Sequence, residues 1–277
     1  MTHTLAGGTL YRCTECRLGF RHPRLPKPTL DALYAGGSAA SWIWEAADRT
    51  DWTLASQAIR EHHPGAARVL DIGCFDGTFL ASLPAAVEKH GVEIMPSAAD
   101  RARSQGIRIV ASDFESLAAM PGAYDAITAF DVIEHVPDPL AFLTLVRSAL
   151  RDGGIAVIST GNLDAWTWTL MRNRYWYCAI PEHISFLSVS WFRRAACRLG
   201  LTLERVVRYA HAKPTLQRRA IETAANFTYL LAPSAIAALR RRGVGNVSQD
   251  LSPELNGDYP PGWFTARDHM LVTLRAA

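Results

Sequence analysis

The chain has 277 residues, 49% of them hydrophobic, and a formal net charge of +3; this suits one sizeable core with additions and argues against a whole-molecule nucleic-acid-binding charge. Five cysteines, an odd number spread over a long chain, argue against a disulfide framework and fit a reducing, cytoplasmic setting. No apolar run reaches the roughly 18 residues of a spanning helix, and the opening MTHTLAGGTLYRC lacks the basic-then-apolar order of a signal peptide, so a soluble protein is expected.

Residues 1–28 carry Cys13 and Cys16 as a Cys-x-x-Cys pair before a proline-rich exit. Two thiolates are half of the usual ligand set of a structural zinc site, and His3 and His22 are the imidazoles nearest in sequence. Residues 29–64 have a helical pattern rich in tryptophan (Trp42, Trp44, Trp52), divided at Gly36 and Gly37. By spacing, these aromatics read as core anchors before ligand contacts.

VLDIGCFDGTFL, residues 69–80, joins a buried strand to a turn and a helix start. Asp71, Gly73 and Gly77 form the pattern acid-x-Gly-x-x-x-Gly, with Cys74 and Phe75 inside the turn. Glycine at both ends lets the backbone turn tightly and approach a ligand, which in an open parallel sheet belongs beyond the carboxyl end of the strand. A short helix from Thr78 to Leu83, stopped by Pro84, precedes a second strand ending in HGVEIMP. Glu93, followed by Ile94, stands about 20 residues past the turn, where an acid can accept hydrogen bonds from ribose hydroxyls. A helix at 97–105 and a strand at 107–111 lead to Asp113 and Phe114. The fourth strand, Tyr124 to Phe130, is followed by Asp131, Glu134 and His135, and Pro137 and Pro139 set up a helix at 140–150. Asp152, Gly153 and Gly154 read as its stop, before a fifth strand at 155–160.

On these residues the chain resembles class I S-adenosylmethionine-dependent methyltransferases. The glycine turn is similar to their nucleotide-site motif, and YDAITAFDVIEHVPDP resembles the fourth motif of the branch containing ubiquinone-biosynthesis O-methyltransferases and sugar and natural-product methyltransferases. The resemblance implies an α/β fold, a Rossmann-like seven-stranded sheet with helices on both faces, in which the last strand, HMLVTLR at 269–275, inserts antiparallel between the fifth and the sixth (201–209). It also implies a degenerate half zinc ribbon at 1–28, a helical lid at 29–64 and a catalytic domain at 65–277 with a helical insertion at about 211–265. The implied cofactor is S-adenosyl-L-methionine, held by Asp71, Gly73, Cys74, Phe75, Gly77, Glu93, Ile94, Asp113, Phe114, Phe130 and Asp131. Asp113 would accept the adenine amine while Phe114 packs on the ring. Phe75 departs from the family's usual glycine and should narrow the site. Asp131, Glu134 and His135 stand like the Glu, Glu, His cluster that binds a divalent ion in some quinone O-methyltransferases. The Glu-His pair is also common in relatives without a metal requirement, and no metal is assigned.

Residues 161–187 place Trp166, Trp168, Tyr175, Trp176 and Tyr177 close together, with Arg172, Arg174 and His183 nearby. They follow the fifth strand on the cofactor edge, where an acceptor belongs; the same rings also suit a buried cluster pinning a helix to the sheet. Methyl transfer is an in-line displacement that needs positioning and, for a hydroxyl, removal of one proton. His183 and His135 are the candidate bases, and Tyr175 and Tyr177 the candidate phenols. The expected activity is methylation of a hydroxyl on a small molecule: a sugar, glycan precursor or natural-product intermediate. An N-methyltransferase for an amino sugar and a non-catalytic binding protein are the alternatives.

After a serine-capped helix at about 188–199 and the strand at 201–209 comes an insertion with helices near 215–231 and 234–242, broken by Pro233. Across 205–242 stand Arg205, Arg208, Lys213, Arg218, Arg219, Arg240, Arg241 and Arg242 against the single acid Glu222. This basic stretch reads as a packed hairpin with solvated arginines, a mouth for a phosphate-bearing acceptor, or a surface resting on an anionic membrane.

Overall fold

The computed structural model describes residues 9–24, 26, 28–29, 49–211, 215–242 and 260–277. His3, the Gly36–Gly37 break, Trp42, Trp44 and Lys213 lie outside the described residues, as do the side chains of Arg240 and Arg241. The first strands are β1 (Thr9–Arg12) and β2 (Gly19–His22). Helix α1 (Thr50–His62) leads to β3 (Arg68–Ile72), α2 (Thr78–Ser82), β4 (Glu88–Val92), α3 (Pro96–Ser104) and β5 (Arg108–Ala111). Then come β6 (Tyr124–Phe130), α4 (Pro139–Ala149) and β7 (Leu150–Gly161), followed by the short α5 (Trp166–Met171), α6 (Trp176–Ala179) and β8 (Ser185–Phe186). The chain continues through α7 (Val189–Arg198), β9 (Leu201–Tyr209), the hairpin α8 (Leu216–Leu231) and α9 (Pro233–Arg241), and β10 (His269–Ala276).

The seven-stranded sheet has the order β5-β4-β3-β6-β7-β10-β9. Strands β5, β4, β3, β6 and β7 are parallel, and β10 runs antiparallel between β7 and β9, as expected of the last strand. Helices cover both faces, so β6 is buried along nearly its whole length and reads as an unbroken apolar run. One face packs Phe142, Leu143 and Val146 of α4 with Trp191 and Phe192 of α7; the other packs Ala55 and Ile59 of α1 with Phe79, Leu80 and Ala102. Phe142 and Phe192 are wholly buried, each contributing about 1.5–3 kcal/mol of transfer free energy. Helix starts follow from sequence: Asp138 accepts from the amides of Leu140 and Ala141 with Pro139 in the first turn, and Ser188 accepts from the amide of Trp191.

Two boundaries differ from the sequence reading. Asp152, Gly153 and Gly154 do not close the helix, which ends at Ala149; Leu150 already pairs with Tyr124, and Gly153 takes φ +75° where the β6–β7 register shifts. Pro233 opens the second insertion helix, since a proline in a first turn forfeits no intrahelical bond.

Hairpin β1–β2 joins β8 in a separate three-stranded sheet. From β2 the buried Arg21 donates to the carbonyls of His183 (3.3 Å), Ile180 (3.2 Å) and Cys178. At the hairpin turn the Cys16 amide donates to Cys13 Sγ (3.5 Å), and the pair gains no third ligand among the described residues.

Candidate active site

Along the carboxyl edge of β3, β4 and β6 the chain presents mostly backbone. Gly73 and Gly77 take φ +74° and +83°, and a Cβ on Gly73 would stand 2.7 Å from Val132 Cγ2. Phe75, where a glycine was expected, adopts φ +49° and so preserves the left-handed turn despite its side chain. Its amide donates to Glu93 Oε2 and the Met95 amide to Oε1, both at 2.8 Å, which fixes the carboxylate and leaves further lone pairs on each oxygen. Ile94, beside Glu93, is 62% exposed. Asp113 spends Oδ1 on the amide and hydroxyl of Ser116, while the half-buried Phe114 packs edge-on against Phe142 at 5.2 Å. Cys74 is buried, its sulfur filling the space that a side chain on Gly91 would need.

Asp71 lies beneath the turn. Burial pushes its carboxyl up to about 8, against the opposing hydrogen bond with Thr128. The Thr128 hydroxyl lies 2.7 Å from Asp71 Oδ1 and 3.3 Å from the Leu70 carbonyl. The Thr128 hydroxyl donates to Asp71 Oδ1, the shorter of the two contacts.

At the end of β6, Phe130 packs against Phe79 and Trp52, and Asp131 takes φ +53°. Asp131 Oδ2 meets Arg49 at 3.2 Å, and Arg49 also clasps the buried Asp51. Burial disfavours the Asp131 charge, but Arg49 and nearby histidines outweigh it and hold the carboxyl below its usual range. Its Oδ1 is occluded and has no hydrogen-bond partner among the described residues. An unanswered anionic oxygen at this edge suits a cationic ligand such as a sulfonium, and the residues fit S-adenosyl-L-methionine.

The neighbouring edge, formed by β7, the start of β10 and the segment 175–183, presents side chains. Glu134 accepts from the Tyr177 hydroxyl and from Thr160 (3.0 Å), and burial together with Asp131 pushes it up to about 7. Tyr177 crosses so close to β7 that a side chain on Gly161 would stand 2.6 Å from its ring. His135 and His183 direct Nδ1 at the carbonyls of Glu182 (3.2 Å) and Tyr177 (3.0 Å), so each donates from Nδ1. Burial holds His135 down to about 4 and His183 well below the ordinary histidine value. Glu134, His135 and His183 bring one donor atom each within 4.8 Å of one another. His183 thus stands with the Glu-His pair where Asp131 was considered, Asp131 turning to Arg49 instead.

Beyond Tyr177 lies a pair that the sequence reading did not single out. His269 Nδ1 is 2.9 Å from Asp268 Oδ1, while Asp268 Oδ2 accepts from the Tyr175 hydroxyl and from Trp176 Nε1 (3.3 Å). Burial opposes a charge on His269, yet Asp268 outweighs it and raises the imidazole. The rings of His135, His183, Tyr177, His269 and His211 form a continuous series with centroid separations of 4.8, 4.0, 5.1 and 3.8 Å. Tyr175 and Tyr177 therefore act as donors to buried carboxylates, and burial raises both phenols well above the tyrosine value.

Residues 45–206, more than half of the chain, match the family described as a methyltransferase domain, and the chain belongs to that family. A ubiquinone biosynthesis O-methyltransferase of Xanthomonas campestris pv. campestris is 38% identical over 124 residues, covering 41% of this chain and 49% of the relative. A protein of the same name from Burkholderia pseudomallei is 29% identical over 187 residues, covering 62% and 79%. The chain thus spans about half the length of the first of these curated relatives. The fold is shared with a SAM-dependent methyltransferase from Archaeoglobus fulgidus (TM-score 0.52, 18% identity, 83% of this chain and 97% of that one). It is likewise shared with one from Thermotoga maritima (TM-score 0.52, 16% identity, 84% and 93%). The chain thus carries a methyltransferase domain.

Proposed function

We propose that this methyltransferase acts on a hydroxyl of a small molecule, a sugar, glycan precursor or other natural-product intermediate, and that His269 accepts the hydroxyl proton. The observation that carries this reading is the buried Asp268–His269 pair, positioned by Tyr175 and Trp176, at the strand edge next to Asp131. The O-methyl transfer for which the ubiquinone-biosynthesis relatives are named supports a hydroxyl acceptor.

The bound cofactor supplies an electrophilic methyl on a positively charged sulfur. Glu93, Ile94, Asp113 and Phe114 would hold the nucleoside end, the Asp71–Gly77 turn would receive the amino-acid end, and Asp131 would offset the positive charge. With Nδ1 tied to Asp268, His269 turns its Nε2 lone pair towards the acceptor. On transfer of the methyl, with the electrons of the broken S–C bond left on sulfur, the acceptor's proton would pass to His269 Nε2, and Asp268 would stabilise the resulting imidazolium. His183 and His135 flank the acceptor as neutral rings, a role that suits their lowered basicity.

The test is incubation with S-adenosyl-L-methionine and hydroxyl-bearing candidates, with the methyl located by tandem mass spectrometry. Methyl ethers support the proposal; methyl on nitrogen with hydroxyls untouched overturns it.

A further inference from the structure

Helix α8 is built inside out. Its buried residues include Glu222 and Asn226, while Leu216, Ile221, Phe227 and Leu231 are 85%, 61%, 42% and 82% exposed. At about 100° per residue, Leu216, Ala220, Phe227 and Leu231 share an arc of about 60° on the side opposite Glu222. The inward face is fixed by polar bonds. Glu222 Oε2 accepts from the amide (2.8 Å) and hydroxyl (2.6 Å) of Thr265, and Asn226 Nδ2 donates to the Gly262 carbonyl (3.3 Å). Arg174 donates to the Leu230 carbonyl at 2.9 Å. Rotating the helix to bury its apolar stripe would leave Glu222 and Thr265 without each other, so the stripe is held outward by design of the inner face.

The charge beside the stripe identifies what it meets. Residues 215–242 contain five arginines and one acid, Glu222, and that acid is turned inward and engaged by Arg218 at 2.9 Å. Arg219 and Arg242 are exposed, and Arg219 lies about 60° around α8 from Leu216, so the apolar stripe has a cationic neighbour and no exposed acid in the hairpin sequence. Two copies meeting through this face would bring arginine against arginine, whereas an anionic bilayer supplies apolar depth and negative headgroups together. No helix among the described residues is long and apolar enough to cross a membrane, and α8, about 24 Å long at 1.5 Å per residue, suits a position in the plane of the headgroups.

We propose that the outward face of α8 docks this enzyme on anionic lipid bilayers, with Leu216, Phe227 and Leu231 entering the acyl boundary and Arg219 and Arg242 meeting phosphate headgroups. This goes beyond the methyl-transfer reading and is tested without cofactor or acceptor.

The experiment is co-sedimentation of the full chain with phosphatidylcholine vesicles, with and without phosphatidylglycerol, at low and high salt. The wild type pellets with phosphatidylglycerol vesicles at low salt and less with pure phosphatidylcholine or at high salt. Phe227→Gln combined with Leu231→Gln lowers the partition coefficient about tenfold or more with the melting temperature retained. Leu216→Gln, at the most exposed position, is a milder variant should the double variant fail to fold, and lowers it several-fold. Wild-type protein left in the supernatant under the favourable condition overturns the proposal, as does binding indifferent to the Leu216 or paired substitutions. A dimer in light scattering that these substitutions convert to monomer would assign the face to a second copy and also overturn it.

Discussion

The β3–β4–β6 edge and the β7–β10 edge stand side by side yet meet their ligands with different parts of the chain. At the first, turn conformation and main-chain amides set the geometry: two left-handed glycines, a left-handed Phe75, and a glutamate held by two backbone N–H groups. At the second, carboxylates, phenols and imidazoles from distant segments hold one another: Glu134 with Tyr177, and Asp268 with Tyr175, Trp176 and His269. A binding edge made of backbone tolerates side-chain change except where a Cβ intrudes, whereas an edge made of side chains can lose its chemistry through one substitution and keep its shape. Cofactor affinity and turnover should therefore be separable by mutation.

The largest expected effect is that of Gly73→Val. Its φ of +74° and the 2.7 Å approach to Val132 together should weaken S-adenosyl-L-methionine binding by about 10²-fold or more; calorimetric affinity within tenfold of wild type would break the comparison. On the other edge, His269→Ala should lower kcat by about 10² to 10⁴ with cofactor affinity retained, and Asp268→Asn should reproduce part of that loss. If His183→Ala has the large effect on kcat and His269→Ala has none, the proton acceptor is His183. Glu93→Ala tests the first edge again. Releasing the Phe75 and Met95 amides and the ribose contacts together should cost about 2 to 4 kcal/mol of cofactor binding, and unchanged affinity would place the ribose elsewhere.

The smallest effect is a pH slope at Asp71. Folded, its carboxyl titrates at about 8, against an ordinary aspartate value of 3.8, so between these pH values the folded chain binds more protons than the unfolded one. Stability from this group is therefore present below about pH 4 and is lost as pH rises towards 8, by at most about 1.4 kcal/mol per pH unit. Arg49 opposes the shift, and Glu93 and Asp51 reinforce it. Asp71→Asn should gain melting temperature relative to wild type at pH 8 compared with pH 5. Parallel melting curves for the two proteins across that range would show that Asp71 is ionised in the fold.

How legible each edge was follows from the same contrast. The strand at Tyr124–Phe130 and the turn from Asp71 to Gly77 are local, so apolar runs, glycine spacing and capping residues announce them in order. The antiparallel last strand was legible by resemblance, and the apolar HMLVTLR is its local mark. Asp268 and His269 were missed because nothing near them in sequence is catalytic; Tyr175 lies 93 residues away from Asp268. The available signal was an adjacent acid and histidine at the start of a strand whose antiparallel course returns that end to the cofactor edge. The clasp of Arg49 on Asp51 and Asp131 had no sequence signal beyond an arginine two residues before an aspartate. Tyr175, Tyr177 and His183 were picked out by local aromatic density, but that density could not show which phenol serves which carboxylate.

Arg21 reaches across from the amino-terminal hairpin to the carbonyls of Cys178, Ile180 and His183, and this bears on how the enzyme can be recombined. Moving residues 175–187 of this chain into a relative, to alter acceptor choice, would leave the carbonyls of Cys178, Ile180 and His183 without Arg21 unless residues 9–24 moved with them. Likewise, a trimmed enzyme beginning at α1 would keep the cofactor turn intact and lose the brace of the acceptor loop. On the proposed reading of 175–187 as the acceptor segment, the unit that carries acceptor selectivity is discontinuous in sequence, two stretches more than 150 residues apart that travel together.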